Sequence, residues 1–484
     1  MDSLPRLVIA GLSGESGKTL VSLALLLEAG RKSIPARAFK KGPDYIDSAW
    51  LTWACGHPAR NLDTYLMGFD RAVGSFARHA VPDGLNLVEG NRGLYDGADA
   101  RGTHSTAELA KALDAPVVLV VNATKVTRTA AALVLGCQHL DPRVRIAAVI
   151  LNQVCGARHE RILREAIEPA CHIPVLGAIP RAPADAFLPS RHLGLVTPHE
   201  HADCELLPQH VLALVGSRLD FDRLMEIARE APPVAVPSAP VVASPAGNGL
   251  TIGFLADSAF SFYYPENLEA LRATGAELVS ISALTAASLP SSLDALYIGG
   301  GFPETHARAL SENTALLASV RHAASLGLPI YAECGGLMYL SRALSWQGRR
   351  FPMAGVLPFE VDVCDRPQGH GYVELLVAKP NPFFAVGTRL HGHEFHYSKI
   401  VSASNSPETA CQVLRGTGCG QSRDGVIAGN VWASYTHLHA LATPEWAQAM
   451  VNAALVGHAL ACRAWNARFT PPPVPLPASP PGSG

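Results

Sequence analysis

Two stretches of this chain carry residue types in an order that can do chemistry. The first is Gly11-Leu12-Ser13-Gly14-Glu15-Ser16-Gly17-Lys18-Thr19. A glycine-rich loop ending in Gly-Lys-Thr can wrap phosphates with its backbone N–H groups. The helix that follows aims its unpaired N–H groups and its dipole at the same charge. In such a loop Lys18 reaches the β- and γ-phosphates and the Thr19 hydroxyl binds Mg²⁺, while Gly14, Ser16 and Gly17 shape the cradle. Five residues lie between Gly11 and Gly17, where the usual form has four.

The second stretch is Cys334-Gly335-Gly336, which follows the strand Leu328–Glu333 directly and leads into a helical run. A cysteine on such a turn stands out at the sheet edge, and the helix N-terminus is expected to lower its thiol pKa. The N–H of Gly335 can help bind an oxyanion, and Gly299-Gly300-Gly301 at another strand end can supply further donors. A nucleophilic thiol needs a base. Ser434-Tyr435-Thr436-His437-Leu438-His439 offers two, and Gly392-His393-Glu394-Phe395-His396 offers others.

Two polar clusters complete the candidates. Phe39-Lys40-Lys41-Gly42-Pro43-Asp44-Tyr45-Ile46-Asp47 sets two lysines and two carboxylates around a Gly-Pro turn. It suits a metal–nucleotide site, a carboxylate substrate, or merely a solvated turn. In Val88-Glu89-Gly90-Asn91-Arg92-Gly93-Leu94-Tyr95-Asp96-Gly97, Glu89 ends a short apolar run, where a carboxylate can help hold Mg²⁺. Arg92 and Asp96 follow on the loop.

The elements that position these groups read as α/β. Val117–Val121, Ile146–Leu151 and Pro174–Pro180 are apolar runs typical of parallel strands buried on both faces, and helical patterns separate them. Ligands of such sheets bind beyond the carboxyl ends of the strands, which is where the polar clusters fall. Residues 230–248 are rich in Pro, Ala and Ser and read as an extended linker. A second strand–helix series then starts at Leu250 and leads through Ala295–Ile298 to Leu328–Glu333. The expected division is 1–229, linker 230–248, 249–465, and a disordered Pro-rich tail 466–484. The aromatic run Phe262-Tyr263-Tyr264 is either core packing or a ligand wall, with packing favoured.

Composition excludes several classes. With 17% charged residues and a net charge of −2, the chain lacks the basic excess of a nucleic-acid binder. No apolar run approaches the ~18 residues of a membrane span, and the N-terminal residues have no signal-peptide pattern. The ten cysteines are scattered without a Cys-x-x-Cys pair, so a cytoplasmic location is expected.

Together these motifs resemble the cobyrinate a,c-diamide synthases, corrin-pathway amidotransferases. That family joins a dethiobiotin-synthetase-like P-loop ATPase domain to a class I glutaminase domain. The markers are Lys40–Asp47, Gly93-Leu94-Tyr95-Asp96-Gly97, Ser190–Leu195, Phe262–Leu268 and Gly392–Ser398. The longer phosphate loop is also a habit of dethiobiotin-synthetase relatives. The resemblance implies that Cys334 attacks glutamine and that His437 activates it. Many class I glutaminases carry a Glu two residues beyond that histidine; here the residue is His439, which leaves the third triad member open and makes His439 the runner-up base. Ammonia would pass to the first domain, where ATP and Mg²⁺ activate a corrin carboxylate as an acyl phosphate. Gly14, Ser16, Gly17, Lys18, Thr19 and Lys40 would bind the nucleotide, and Thr19, Asp47 and Glu89 the metal. Asp44 and Asp96 would orient the carboxylate or the metal, and Gly300, Gly301 and Gly335 would line the glutamine site. Arg191 suits either a polycarboxylate substrate or a salt bridge. The expected partners are a cobyrinate-type corrin, L-glutamine and ATP, and a homodimer is compatible with the sequence. Hydrogenobyrinate or nickel-sirohydrochlorin are alternative acceptors. A partitioning ATPase with a regulatory appendage is a different class, and it has no use for Cys334 in its turn.

Overall fold

The computed structural model describes residues 4–181, 190–191, 194–200, 205–235, 247–401 and 407–469. Seven strands form the first sheet: β1 (Arg6–Gly11), β2 (Ala36–Lys41), β3 (Arg60–Leu62), β4 (Leu85–Glu89), β5 (Val117–Asn122), β6 (Ile146–Val154) and β7 (Val175–Pro180). Their order is β3-β2-β4-β1-β5-β6-β7, and every pairing is parallel. Parallel neighbours need crossovers, and helices such as Lys18–Arg31, Phe69–His79 and Ala157–Cys171 provide them. Alternation along each strand feeds two cores. Val8, Val88, Leu119 and Val149 pack on one face of the sheet, while Leu7, Ile9, Leu87, Val118 and Ile150 pack on the other. Each fully buried side chain of this kind contributes about 1.5–3 kcal/mol, which is why these runs are apolar without a break.

A small hairpin, β8 (Ser190–Arg191) with β9 (Gly194–Leu195), follows. The side chain of Arg191 and the whole of His192 lie outside the described residues. Residues 236–246, most of the expected linker, also lie outside them. The described start of that segment is not free chain. Ala231 and Val234 are buried, Val234 joins the first core, and the Arg6 guanidinium donates to Pro232 O.

The second half begins with β10 (Thr251–Leu255), β11 (Glu277–Ile281), β12 (Ala295–Ile298) and β13 (Ile330–Glu333), all parallel. A side sheet holds β14 (Ala343–Trp346), β15 (Arg349–Pro352), β16 (Glu360–Val363) and, later in the chain, β19 (Ser398–Val401). The main sheet is completed by β17 (Gly369–Val377), β18 (Arg389–His396), β20 (Thr409–Arg415), β21 (Arg423–Ala428), β22 (Val431–Ser434) and β23 (His437–Leu438). Its order is β11-β10-β12-β13-β22-β21-β20-β17-β18-β23. The last helix spans Trp446–Phe469, so helical backbone continues through 466–469, where the sequence suggests a disordered tail. Among the described residues no helix is long and apolar enough to cross a membrane.

Candidate active site

The phosphate loop joins the end of β1 to the helix Lys18–Arg31, whose first turn has no side-chain cap. Gly17 has φ of 98°, and a Cβ there would lie 2.1 Å from Asn152 Nδ2, so the turn admits only glycine without displacement. Asn152, at the end of β6, donates to Ser16 O at 3.0 Å and fixes the loop from below. Gly14 faces open space. Lys18 is folded back, donating to Ser13 O at 2.9 Å and Arg92 O at 2.8 Å. Burial, reinforced by Lys40, lowers its pKa.

Beside this loop the structure gathers the other residues predicted for nucleotide and metal. Thr19 Oγ1 donates to Glu89 Oε1 at 2.9 Å. Lys40 Nζ lies 2.7 Å from Glu89 Oε1 and 2.5 Å from Asp47 Oδ2. Burial opposes the Lys40 charge, but Asp47 and Glu89 outweigh it and hold the ammonium firmly protonated. Burial pushes Glu89 up. Asp44, three residues before Asp47, accepts the Asp47 N–H at 2.8 Å; desolvation and the neighbouring Asp47 push its carboxyl up to about 7. Asp96 Oδ2 accepts the Gly93 N–H at 2.8 Å.

Asp44 and Asp96 open into a cavity between the two halves of the chain, about 1100 Å³ counting the space open at its mouth. Lys41, Tyr45, Asn91 and Arg92 line it from the first half, and Phe262, His370, Tyr372, His393, Glu394 and His437 from the second. The halves are pinned together around it. Arg60 makes a bidentate pair with Glu269 at 2.8 and 2.6 Å. Tyr372 donates to Asp63 at 3.0 Å, Tyr65 donates to Glu374 at 2.8 Å, and the two rings stack with centroids 4.0 Å apart. Tyr45 crosses from the Asp44–Asp47 turn into the second half, where its ring meets Phe262, Tyr264, His393 and His437 at 4.5–5.6 Å. Phe262 is therefore both packing and cavity wall.

Cys334 links β13 to the helix Gly335–Leu340 with φ 46° and ψ −97°, a strained turn for a residue other than glycine. Its N–H donates to Ser434 O at 2.7 Å, which ties the turn to the end of β22, three residues before His437. Gly300, Gly301 and Gly335 come together there. A Cβ on Gly300 would lie 2.5 Å from His437 Cε1, and one on Gly335 would lie 3.1 Å from Gly301 N. The expected lowering of the thiol pKa is not found. Burial pushes the Cys334 thiol well up and the nearby Glu304 adds to the effect, so a six-residue helix does not yield a standing thiolate.

His437 pairs across β23 and β18 with His393, their rings stacked with centroids 5.0 Å apart. His439, the runner-up base, is engaged elsewhere: fully buried, its Nε2 lies 3.7 Å from Glu266 and its ring rests on Tyr264. Burial, aided by Arg60, holds it neutral with a pKa of about 3. Asp424, fully buried, accepts N–H groups of Tyr435 and Thr436 and the Thr436 hydroxyl at 2.7–3.2 Å, and so fixes the segment that carries His437. Sequence reasoning missed Tyr45, Tyr372 and Asp424. It passed over Glu333 too, although a carboxylate ending a buried apolar strand beside a cysteine was a signal in plain view.

A phosphate loop on one α/β sheet, a cysteine turn with a histidine strand beside it on another, and a cavity between the two halves define a two-domain, ATP-using glutamine amidotransferase. Residues 7–196 match the CobQ/CobB/MinD/ParA nucleotide binding domain, and residues 251–445 match the CobB/CobQ-like glutamine amidotransferase domain. The chain is 44% identical to the cobyrinate a,c-diamide synthase of Magnetococcus marinus, over 92% of this chain and 96% of that protein. The proteins of the same name from Dehalococcoides mccartyi strain CBDB1 and Archaeoglobus fulgidus are 41% and 38% identical, each over 93% of this chain and 98% of their own length. The chain belongs to the cobyrinate a,c-diamide synthase family, glutamine-hydrolysing carbon–nitrogen ligases of cobalamin biosynthesis.

Proposed function

We propose that the chain amidates the a and c side-chain carboxylates of cobyrinate, with nitrogen from glutamine and activation by ATP. The observation that carries this reading is the interdomain cavity, whose wall includes both His437 of the glutaminase half and Asp44 and Asp96 of the ATPase half. Cys334 attacks the glutamine amide, His437 takes and returns the proton, and the backbone around Gly300, Gly301 and Gly335 holds the oxyanion. Ammonia released beside His437 enters the cavity directly. Lys18 and the loop from Gly14 to Thr19 hold ATP, and Lys40 neutralises charge next to the γ-phosphate. A carboxylate is a poor acyl donor, and transfer of that phosphoryl group supplies a leaving group for ammonia to displace. Lys41 and Arg92 give the cavity the positive charge that a polycarboxylate requires.

Mg²⁺ fits the residues present. Glu89 Oε2 is buried with no hydrogen-bond partner among the described residues, Thr19 Oγ1 donates to the other oxygen of that carboxylate, and Asp47 is joined to it through Lys40 Nζ. Among the described residues no group of three or more His, Cys, Asp or Glu is placed to hold a metal ion. Two carboxylates and a hydroxyl suit an ion that keeps waters and phosphate oxygens as its remaining ligands. When bound, Mg²⁺ would offset the charge of the transferring phosphate; Thr19, Asp47 and Glu89 would hold it.

The test is an assay with ATP, Mg²⁺ and glutamine, offering cobyrinate and hydrogenobyrinate in parallel and reading products by mass. Two amides gained on cobyrinate is the expected result. Glutamine hydrolysis with neither acceptor changed would refute the acceptor, and nickel-sirohydrochlorin would then be offered.

A further inference from the structure

We infer that Glu333 is the carboxylate that positions His437, supplied by the strand that presents Cys334 and not by the segment after the histidine. The inference rests on the reading of Cys334 and His437 as nucleophile and base. Glu333 is fully buried at the end of β13. Its Oε1 accepts the Leu438 N–H at 3.0 Å and its Oε2 accepts the Tyr297 hydroxyl at 3.2 Å. Two fixed donors leave the carboxylate little freedom, and Oε2 lies 3.5 Å from His437 Nδ1. That ring nitrogen is buried and has no hydrogen-bond partner among the described residues. A buried imidazole nitrogen without a partner is costly, and Oε2 is placed to take its proton-bearing form with a small ring rotation. Two residues beyond His437 stands His439, which offers no carboxylate and whose Nδ1 accepts the Leu441 N–H.

The chemistry follows from the tautomer. A carboxylate facing Nδ1 holds the proton there and leaves the Nε2 lone pair free. As Sγ of Cys334 bonds to the glutamine amide carbon, its proton moves to Nε2 and Glu333 stabilises the imidazolium without taking a proton. When the carbon–nitrogen bond breaks, the Nε2 proton goes to the departing nitrogen, which leaves as ammonia. Water then opens the thioester to glutamate and restores the thiol. Glu333 is a positioning residue because it acts through His437. The other groups facing this pair are Tyr45, Tyr297 and His393 around the ring, and Glu304 and Glu394 near the thiol.

Glu333→Gln retains an oxygen for Leu438 but removes the charge. With full-length protein, the glutaminase kcat should fall by up to about 10⁴-fold, the loss that the comparable carboxylate-to-amide change causes in a serine-hydrolase triad. Glutamine KM and ammonium-driven amidation should hold, and the acid limb of the kcat–pH profile should move to lower pH as the imidazolium loses its carboxylate. Glu333→Asp should recover part of the loss. An unchanged kcat and profile, or equal loss of both nitrogen sources, would overturn the inference. A second measurement needs no variant at residue 333: in ¹⁵N-histidine-labelled protein, His437 should show a protonated Nδ1, assigned by its disappearance in His437→Gln. An unprotonated Nδ1 would overturn it even if Glu333→Gln does not fold. Cys334→Ser run in parallel separates the two layers, because retained glutaminase there would sink the nucleophile assignment itself.

Discussion

Replacing Tyr45 with alanine removes a ring that reaches from the Asp44–Asp47 turn across to His437. Tyr45 lies between Asp44 and Asp47 in the first half, and its ring packs on Phe262, Tyr264, His393 and His437 in the second. Four such pairs at about 0.5 kcal/mol each, the low end for aromatic contacts, total about 2 kcal/mol. That weakens closure of the interdomain cavity by roughly 30-fold, without touching Cys334 or the phosphate loop. Glutamine should still be hydrolysed, but ammonia should escape before it reaches the activated carboxylate. The assay compares glutamate released with amide formed, using glutamine alone as nitrogen source. Wild-type protein should form them in equal amounts, Tyr45→Ala should release glutamate in excess, and Tyr45→Phe should behave as wild type. Equal yields from Tyr45→Ala would refute the coupling role.

Cys334→Ser should abolish glutamine-dependent synthesis while high ammonium still drives ATP-dependent amidation, whereas Lys18→Ala should abolish synthesis from either source; product mass with the two nitrogen donors distinguishes them. Glu266 gives a pH prediction. Burial, opposed by Arg60, raises its pKa from 4.5 to about 7, so the folded state holds a proton that the unfolded chain releases. The stability this contributes is full below about pH 4.5 and is lost as the pH rises towards 7. A shift of that size corresponds to about 3 kcal/mol, so Glu266→Gln should be the more stable protein at pH 8 and nearly equal to wild type at pH 4.5. Thermal midpoints at the two pH values check this, and a uniform loss at both would refute the assignment.

Much of this organisation was legible before any coordinates. Apolar runs such as Val117–Val121 marked strands buried on both faces, and the polar clusters fell at their carboxyl ends. Lys18, Thr19, Lys40, Asp47 and Glu89 do converge, because β1, β2 and β4 are neighbours in one parallel sheet. Cys334 sits on a tight turn, as its place between a strand end and a helix start suggested. The thiol was misjudged, because a helix terminus is visible in sequence whereas burial and the approach of Glu304 are not. His437 was preferred to His439 only through the resemblance. One residue type at two close positions looks alike until the chain direction through β23 sends one ring towards Gly300 and the other towards Glu266.

The sequence alone determined the local chemistry: which loops can hold phosphate, which thiol stands on a turn, and which strands are buried. These depend on neighbours within a few residues, where spacing and periodicity carry the information. Tertiary structure decided the partnerships between distant segments. Tyr45 reaches His437, Arg60 reaches Glu269, and Glu333 faces the nitrogen of a histidine more than a hundred residues away. Such contacts follow from how two sheets dock and how their strands are ordered, and no short-range pattern encodes that arrangement.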